Sequence, residues 1–159
     1  MIPVGNHGYG GQSNLDRRNG PSEGEENVGA GNPERAVETA ARFFDRMRSF
    51  DWDAMAACLA EDVTRVGPYR DVKQGRDDDR DFLAATIEAL DGYRQEVQRI
   101  WSDGDHAVAQ LSETLNVDGR PRRTDQAIVL DLGADGLIHR VEVYLQRAYF
   151  VDDEAVIAR

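Results

Sequence analysis

The sequence predicts an α+β fold: a cone-shaped α+β barrel in which a curved, mostly antiparallel sheet wraps around N-terminal helices. Three observations carry that expectation. From His106 to Gln146 apolar residues recur in twos, through Ala109-Leu111-Leu115-Val117, Ile128-Leu130-Leu132 and Val141-Val143-Leu145. Alternation of this kind gives each strand one face that must be buried. Asp118-Gly119 and Asp135-Gly136 separate the runs, and Asp-Gly accepts the positive φ of tight hairpin turns. The helical patterns lie upstream of this meander instead of alternating with its strands, as a doubly wound fold requires.

Taken in order, residues 1–31 read as a disordered tail. They hold eight of the 15 glycines and one aromatic, Tyr9, too little apolar surface to offset the entropy of ordering. The domain is expected over 32–147, with 148–159 as a C-terminal extension. Asn32-Pro33 supplies a helix cap and a first-turn proline, and Val37, Ala40, Ala41, Phe44 and Met47 then recur at helical spacing, with Phe43 widening the stripe. Asp51 caps a second, short helix with Met55, Cys58 and Leu59 facing inward. Val63–Val66 reads as a short strand stopped by Gly67-Pro68, and Tyr69–Gly75 as a polar loop. A third helix opens on Asp77-Asp78-Asp79, carboxylates suited to the positive end of a helix dipole, and buries Phe82, Leu83, Ile87 and Leu90. Tyr93–Trp101 is the strand before the meander.

Composition narrows the function. With 19 basic and 30 acidic residues the net charge is −11, which disfavours nucleic-acid phosphates and anionic membranes. The basic run Arg120–Arg123, broken by Pro121, reads as a solvated hairpin tip. Cys58 is the only cysteine, so an intrachain disulfide or multi-cysteine zinc site is excluded. Consecutive aspartates on one helix point in different directions, so Asp77–Asp79 make a poor metal site. No metal and no cofactor are expected. No apolar run approaches a membrane span and the N-terminus lacks a signal-peptide pattern, so the expected location is cytoplasmic.

The segment Arg42-Phe43-Phe44, Asp51-Trp52-Asp53, Leu59-Ala60-Glu61-Asp62-Val63, Gly67-Pro68 and Gly75-Arg76 resembles the opening of the nuclear transport factor 2-like superfamily. Asp135-Gly136-Leu137-Ile138 with Glu142-Val143-Tyr144 is similar to the last hairpin of its SnoaL-like branch. The resemblance covers roughly residues 34–147. It implies the cone fold, and a choice among isomerase, cyclase, hydrolase, dehydratase and non-catalytic roles that fold alone does not settle. The ketosteroid isomerase positions are occupied by Phe43, Gly67 and Ile128, so that set of tyrosine, base and acid is missing. Of the Asp-Arg-Asp set of the epoxide hydrolases, Glu113 matches one carboxylate, while Val143 and Leu111 occupy the other positions.

Glu113 remains as the group that breaks an apolar row, and a buried carboxylate needs a partner or a raised pKa. Arg65 is the expected partner. Three readings stand side by side: Glu113 as a general base with Arg65 holding an anionic or carbonyl group, a structural Arg–Glu pair, or a Glu113 at an exposed end of the sheet. Phe43, Leu111, Gln126, Ile128, Val143 and Leu145 are the expected ligand-binding lining, and the ligand is a small, hydrophobic, oxygenated molecule. His106 and His139, at strand starts beside turns, are expected to face solvent. Three function classes follow: an enzyme acting inside the cone, a non-catalytic binder, or an interaction module. The outer row Gln110, Ser112, Thr114, Asn116, Ala127, Val129, Glu142 and Tyr144 carries little charge, and a homodimer through this face is expected.

Overall fold

Helix α1 (Pro33–Arg48) begins where its cap dictates: the Asn32 side chain accepts a hydrogen bond from the Arg35 amide at 3.0 Å, and proline fills the first turn. The structure, a computed structural model, describes residues 31–146 and 148–151. Apart from Gly31, the expected tail lies outside the described residues, as does the chain from 152 onwards. One face of α1 buries Ala36, Ala40, Phe43, Phe44 and Met47, with the two phenylalanine rings edge to face at 5.2 Å. Burying a side chain of that size contributes about 1.5–3 kcal/mol, so this stripe holds the helix against the sheet.

Helix α2 (Trp52–Ala56) is capped by Asp51, whose side chain accepts from the Ala54 amide. It is shorter than the periodicity suggests. Cys58 and Leu59 fall beyond it, and Leu59 opens strand β1 (Leu59–Val66), which therefore starts four residues before the expected Val63. The inward burial of both residues survives the reassignment: an apolar pair can be hidden by a helix turn or by a strand start, and its spacing does not distinguish them. The expected polar loop likewise contains a strand, β2 (Val72–Gln74), which pairs antiparallel with β1. Helix α3 (Arg76–Glu88) follows, burying Asp79, Leu83 and Ile87.

The remaining strands are β3 (Arg94–Asp103), β4 (His106–Val117), β5 (Arg120–Leu132), β6 (Ile138–Leu145) and β7 (Tyr149–Phe150). The sheet order is β2-β1-β6-β5-β4-β3, with β7 on β5. β1 runs parallel to β6 and every other pairing is antiparallel. The sheet curves around α1 as a cone but stays open at β2 and β3. β5 starts at Arg120, so the basic run is a strand segment and not a hairpin tip. Register irregularities between Val97 and Arg99 and between Asp131 and Leu132 shift the inward row by one residue. That shift explains why Ile138, and not the expected Leu137, is the fully buried start of β6.

The narrow end of the cone is tied by Arg35, which donates to the Ala134 carbonyl at 3.0 Å and to Asp105 at 3.3 Å, linking α1 to the β5–β6 and β3–β4 turns. The flank is tied by a second arginine. On β1, Arg65 Nε donates to Asp79 Oδ1 of α3 at 2.5 Å, with both side chains almost fully buried. This corrects the expected pairing: the partner of Arg65 is Asp79 and not Glu113. Asp79 is also not a solvated first-turn carboxylate, because α3 packs that turn against β1. Removing one partner of a buried pair leaves an uncompensated charge. Asp79→Ala should therefore lower stability in urea denaturation by about 3–5 kcal/mol. The double change Arg65→Met with Asp79→Leu should recover most of that loss.

Candidate functional site

Alternation along β4 and β5 decides which side chains enter the cone. The buried inward rows are Ala107, Ala109 and Leu111 on β4 and Gln126, Ile128 and Leu130 on β5, paired as Ala107↔Leu130, Ala109↔Ile128 and Leu111↔Gln126. Glu113 continues the β4 row and lies opposite Thr124. It is half-buried, and its hydrogen-bonding neighbours come from β3 and from the residue just before that strand. The Tyr93 hydroxyl donates to Glu113 Oε1 at 2.6 Å, and Gln95 Nε2 donates to the same oxygen at 3.5 Å. Gln95, opposite Glu113 in the β3–β4 ladder, also reaches Met47 Sδ at 3.3 Å on α1 and the Tyr93 oxygen at 3.3 Å. Glu113 thus sits at the centre of a polar knot between the sheet and α1.

The electrostatics of this knot are simple. Burial, and then the charge and hydrogen bond of Glu113, push the Tyr93 phenol well above its ordinary pKa, so it stays a neutral donor at every physiological pH. Among the described residues no arginine, lysine or histidine makes an ion pair with Glu113, and its second carboxylate oxygen accepts no hydrogen bond. On the adjacent strand the Gln126 Nε2 group is buried with no acceptor among the described residues, and so is the Gln95 Oε1 atom with no donor. Gln126 lies diagonally from Glu113 across β4 and β5, a relation that brings longer side chains within reach of one another. The arrangement is a carboxylate with one uncommitted oxygen beside a buried amide donor.

Other expected residues divide into lining and filling. Val143 and Leu145 line an open cleft of about 560 Å³ at the wide end of the concave face, together with Pro68, Tyr69, Leu115, Arg122 and Thr124. Phe43, Leu111 and Ile128 are packed into the core. Arg65 lies on β1, separated from Glu113 by β6 and β5, and is committed to Asp79. Both histidines face solvent as expected. His106 meets Asp131 at 2.8 Å, a hydrogen bond that raises its pKa, and His139 meets Asp135 at 3.1 Å. No cluster of metal-binding side chains occurs among the described residues. Tyr93 and Gln95 escape sequence reasoning because the strand beginning at Arg94 has a weak apolar row, so nothing in it marks which residues turn inward.

With this geometry the comparisons are informative. A family model described as a SnoaL-like domain matches residues 40–141. The chain belongs to the SnoaL-like domain family. Among solved structures, a SnoaL-like fold recurs in a Kribbella flavida protein described as a candidate ketosteroid isomerase, at 28% identity over 74% of this chain and 82% of that one, with a TM-score of 0.60. An LEH-like epoxide hydrolase of M. tuberculosis aligns at 18% identity over 72% and 84%, with a TM-score of 0.62. An NTF-2 like protein of unknown function from Burkholderia xenovorans aligns at 18% over 73% and 86%, with a TM-score of 0.59. No curated protein matches the sequence.

The Tyr93–Glu113 bond has a measurable consequence for the fold. Tyr93→Phe removes the stronger of the two donors to a half-buried carboxylate, and stability should fall by about 1–3 kcal/mol. Tyr93→Phe combined with Glu113→Leu should fall by less than the two single changes added together. Thermal melts of the four proteins check this.

Proposed function

We propose that this SnoaL-like domain binds a small, hydrophobic, oxygenated molecule in its concave face and transfers a proton there, with Glu113 as the base. The observation that carries the reading is the uncommitted oxygen of Glu113, held in an apolar row by Tyr93 and Gln95 with no ion-pairing cation among the described residues. A carboxylate placed in this way has an oxygen open to take a proton from a ligand. The buried amide of Gln126 is the matching group: it donates to the substrate's carbonyl oxygen while Glu113 removes a proton from the neighbouring carbon. Hydrogen bonding to the developing enolate strengthens as charge builds there, the differential binding that lowers a barrier. The likeness to a candidate ketosteroid isomerase accords with proton abstraction beside a carbonyl, although Phe43, Gly67 and Ile128 require that Glu113 do the work from a different position.

Deuterium exchange tests this directly. In D₂O, the protein should accelerate exchange of the α-protons of a panel of small cyclic ketones, followed by proton NMR. Glu113→Gln should keep the fold by circular dichroism and lose the acceleration, a general base contributing about 10²–10⁴-fold. If wild type matches buffer for every ketone, or Glu113→Gln exchanges as fast as wild type, Glu113 is not the base. Should the ketones bind without exchange, the non-catalytic reading takes over.

The same proposal includes assembly as a homodimer through the outer sheet face. Trp101 and Tyr144 are 44% and 53% exposed, and line a shallow depression with Gln110 and Ala127. Glu142 on that face is already engaged by Arg140 and by the Tyr144 hydroxyl, which reduces the cost of covering it. Exposed aromatic surface rimmed by polar groups marks interaction sites. Sedimentation velocity at micromolar concentration should give a dimer that Tyr144→Arg converts to monomer, and a wild-type monomer would refute this assembly.

A further inference from the structure

The cleft at the wide end of the cone contains one charged side chain among its described lining residues, and it is a cation. Arg122 stands beside Pro68, Tyr69, Leu115, Thr124, Val143, Tyr144, Leu145, Gln146 and Ala148. Its neighbours in the basic run are engaged: Arg123 meets Asp125 at 3.0 Å, and the Arg120 guanidinium lies 4.2 Å from the Phe150 ring centre. Arg122 has no hydrogen bond or ion pair among the described residues. Several other arginines are paired with carboxylates, among them Arg65, Arg80, Arg123 and Arg140, whereas Arg122, exposed at a cleft that Leu115, Val143 and Leu145 also line, makes no such pair among the described residues.

Its position relative to Glu113 is set by the β4–β5 ladder. Arg122 pairs with Leu115, and Thr124 pairs with Glu113, so Arg122 lies one step nearer the opening on the same concave row. Two residues along a strand span roughly 7 Å. An anion on Arg122 therefore stays clear of the Glu113 carboxylate, while the body of the molecule runs along Leu115, Val143 and Leu145 towards it. Guanidinium presents a planar fork that matches a carboxylate with two parallel hydrogen bonds. Among its described lining residues the cleft has no second cation, and the chain's net charge is acidic, so a monoanion fits it better than a dianion such as a phosphate monoester.

We infer that the ligand is an apolar monocarboxylic acid that carries a separate ketone, its carboxylate held at the cleft mouth by Arg122 and the carbon beside its ketone directed inward. The inference rests on the pocket reading above and names the substrate class within it. It also gives the acidic chain a selective entrance: the overall charge repels multiply charged metabolites, and Arg122 admits a singly charged one.

The test uses two isosteric probes, cyclohexanecarboxylate and cyclohexanecarboxamide, titrated into the full chain at pH 7.5 and followed through the methyl signals of Leu115, Val143 and Leu145. Wild type should bind the carboxylate about fivefold or more tightly than the amide, a preference that 0.5 M NaCl reduces as for any partly exposed ion pair. Arg122→Gln should abolish the preference and leave amide binding unchanged, while Arg122→Lys should retain part of it. Equal binding of the two probes to wild type, or a preference that survives Arg122→Gln, overturns the inference and leaves the pocket standing. If neither probe moves the methyl signals, the cleft is not a ligand site and both readings fall. If the preference is present but ketone exchange is absent in wild type, the Glu113 reading alone is lost.

Discussion

The ion pair between Arg65 and Asp79 is the constraint around which the rest of the cone is arranged. It joins β1, which lies between β2 and β6, to the first turn of α3, with the Asp79 side chain fully excluded from water. Two features make so buried a carboxylate tolerable. The guanidinium bonds it at 2.5 Å, and the N-terminal turn of α3 adds the positive end of the helix dipole. Even so, Arg65 Nη2 and Asp79 Oδ2 are each left without a partner among the described residues. A pair this costly is weak as a source of stability but strong as a specifier of position, since α3 has only one register on β1 that keeps both charges together.

Strands β6 and β5 separate that pair from Glu113, which makes no ion pair among the described residues. The interior then carries two separated polar sets, one ionic at the β1 flank and one built from neutral donors between β3, β4 and α1. The phenol and amide donors both bond one oxygen of Glu113 and leave the other without a hydrogen bond among the described residues. Tyr93, kept protonated by burial and by Glu113 itself, serves here as a fixed donor and is unsuited to act as a base. Membership of the SnoaL-like family is consistent with many chemistries, and this division of charge is what distinguishes one chain's interior from another's on a shared fold.

The sequence carried the architecture because its signals there are local. The cap at Asn32, the stripe from Ala36 to Met47, and the period-two rows of β4, β5 and β6 all concern residues within a few positions of one another. Where the reading slipped, the deciding contact was distant or the phase was broken. The Leu59 start of β1 depends on pairing with Ile138, the β2 strand depends on β1, and a single extra residue on β6, His139 between the partners of Asp131 and Leu132, moves the inward position from Leu137 to Ile138. Arg120–Arg123 looked like a tip because proline and charge resemble a turn, yet the strand absorbs Pro121 between its neighbours.

The candidate site shows the same division. Glu113 was legible, since a single carboxylate in an apolar row is a conflict that the row itself exposes. Its partners were not. Asp79 stood among three consecutive aspartates, and only the docking of α3 on β1 selects which one is buried. Gln95 belongs to a strand whose alternation is faint and Tyr93 precedes it, and only the β3–β4 pairing, which sets Gln95 opposite Glu113, brings both to that carboxylate. Sequence by itself determined the α+β class, the inward rows and the presence of an interior acid, because alternation and capping are short-range consequences of backbone geometry. Tertiary structure alone decided which charge meets which, because an ion pair or hydrogen bond between distant residues depends on ångström-scale placement that no local pattern encodes.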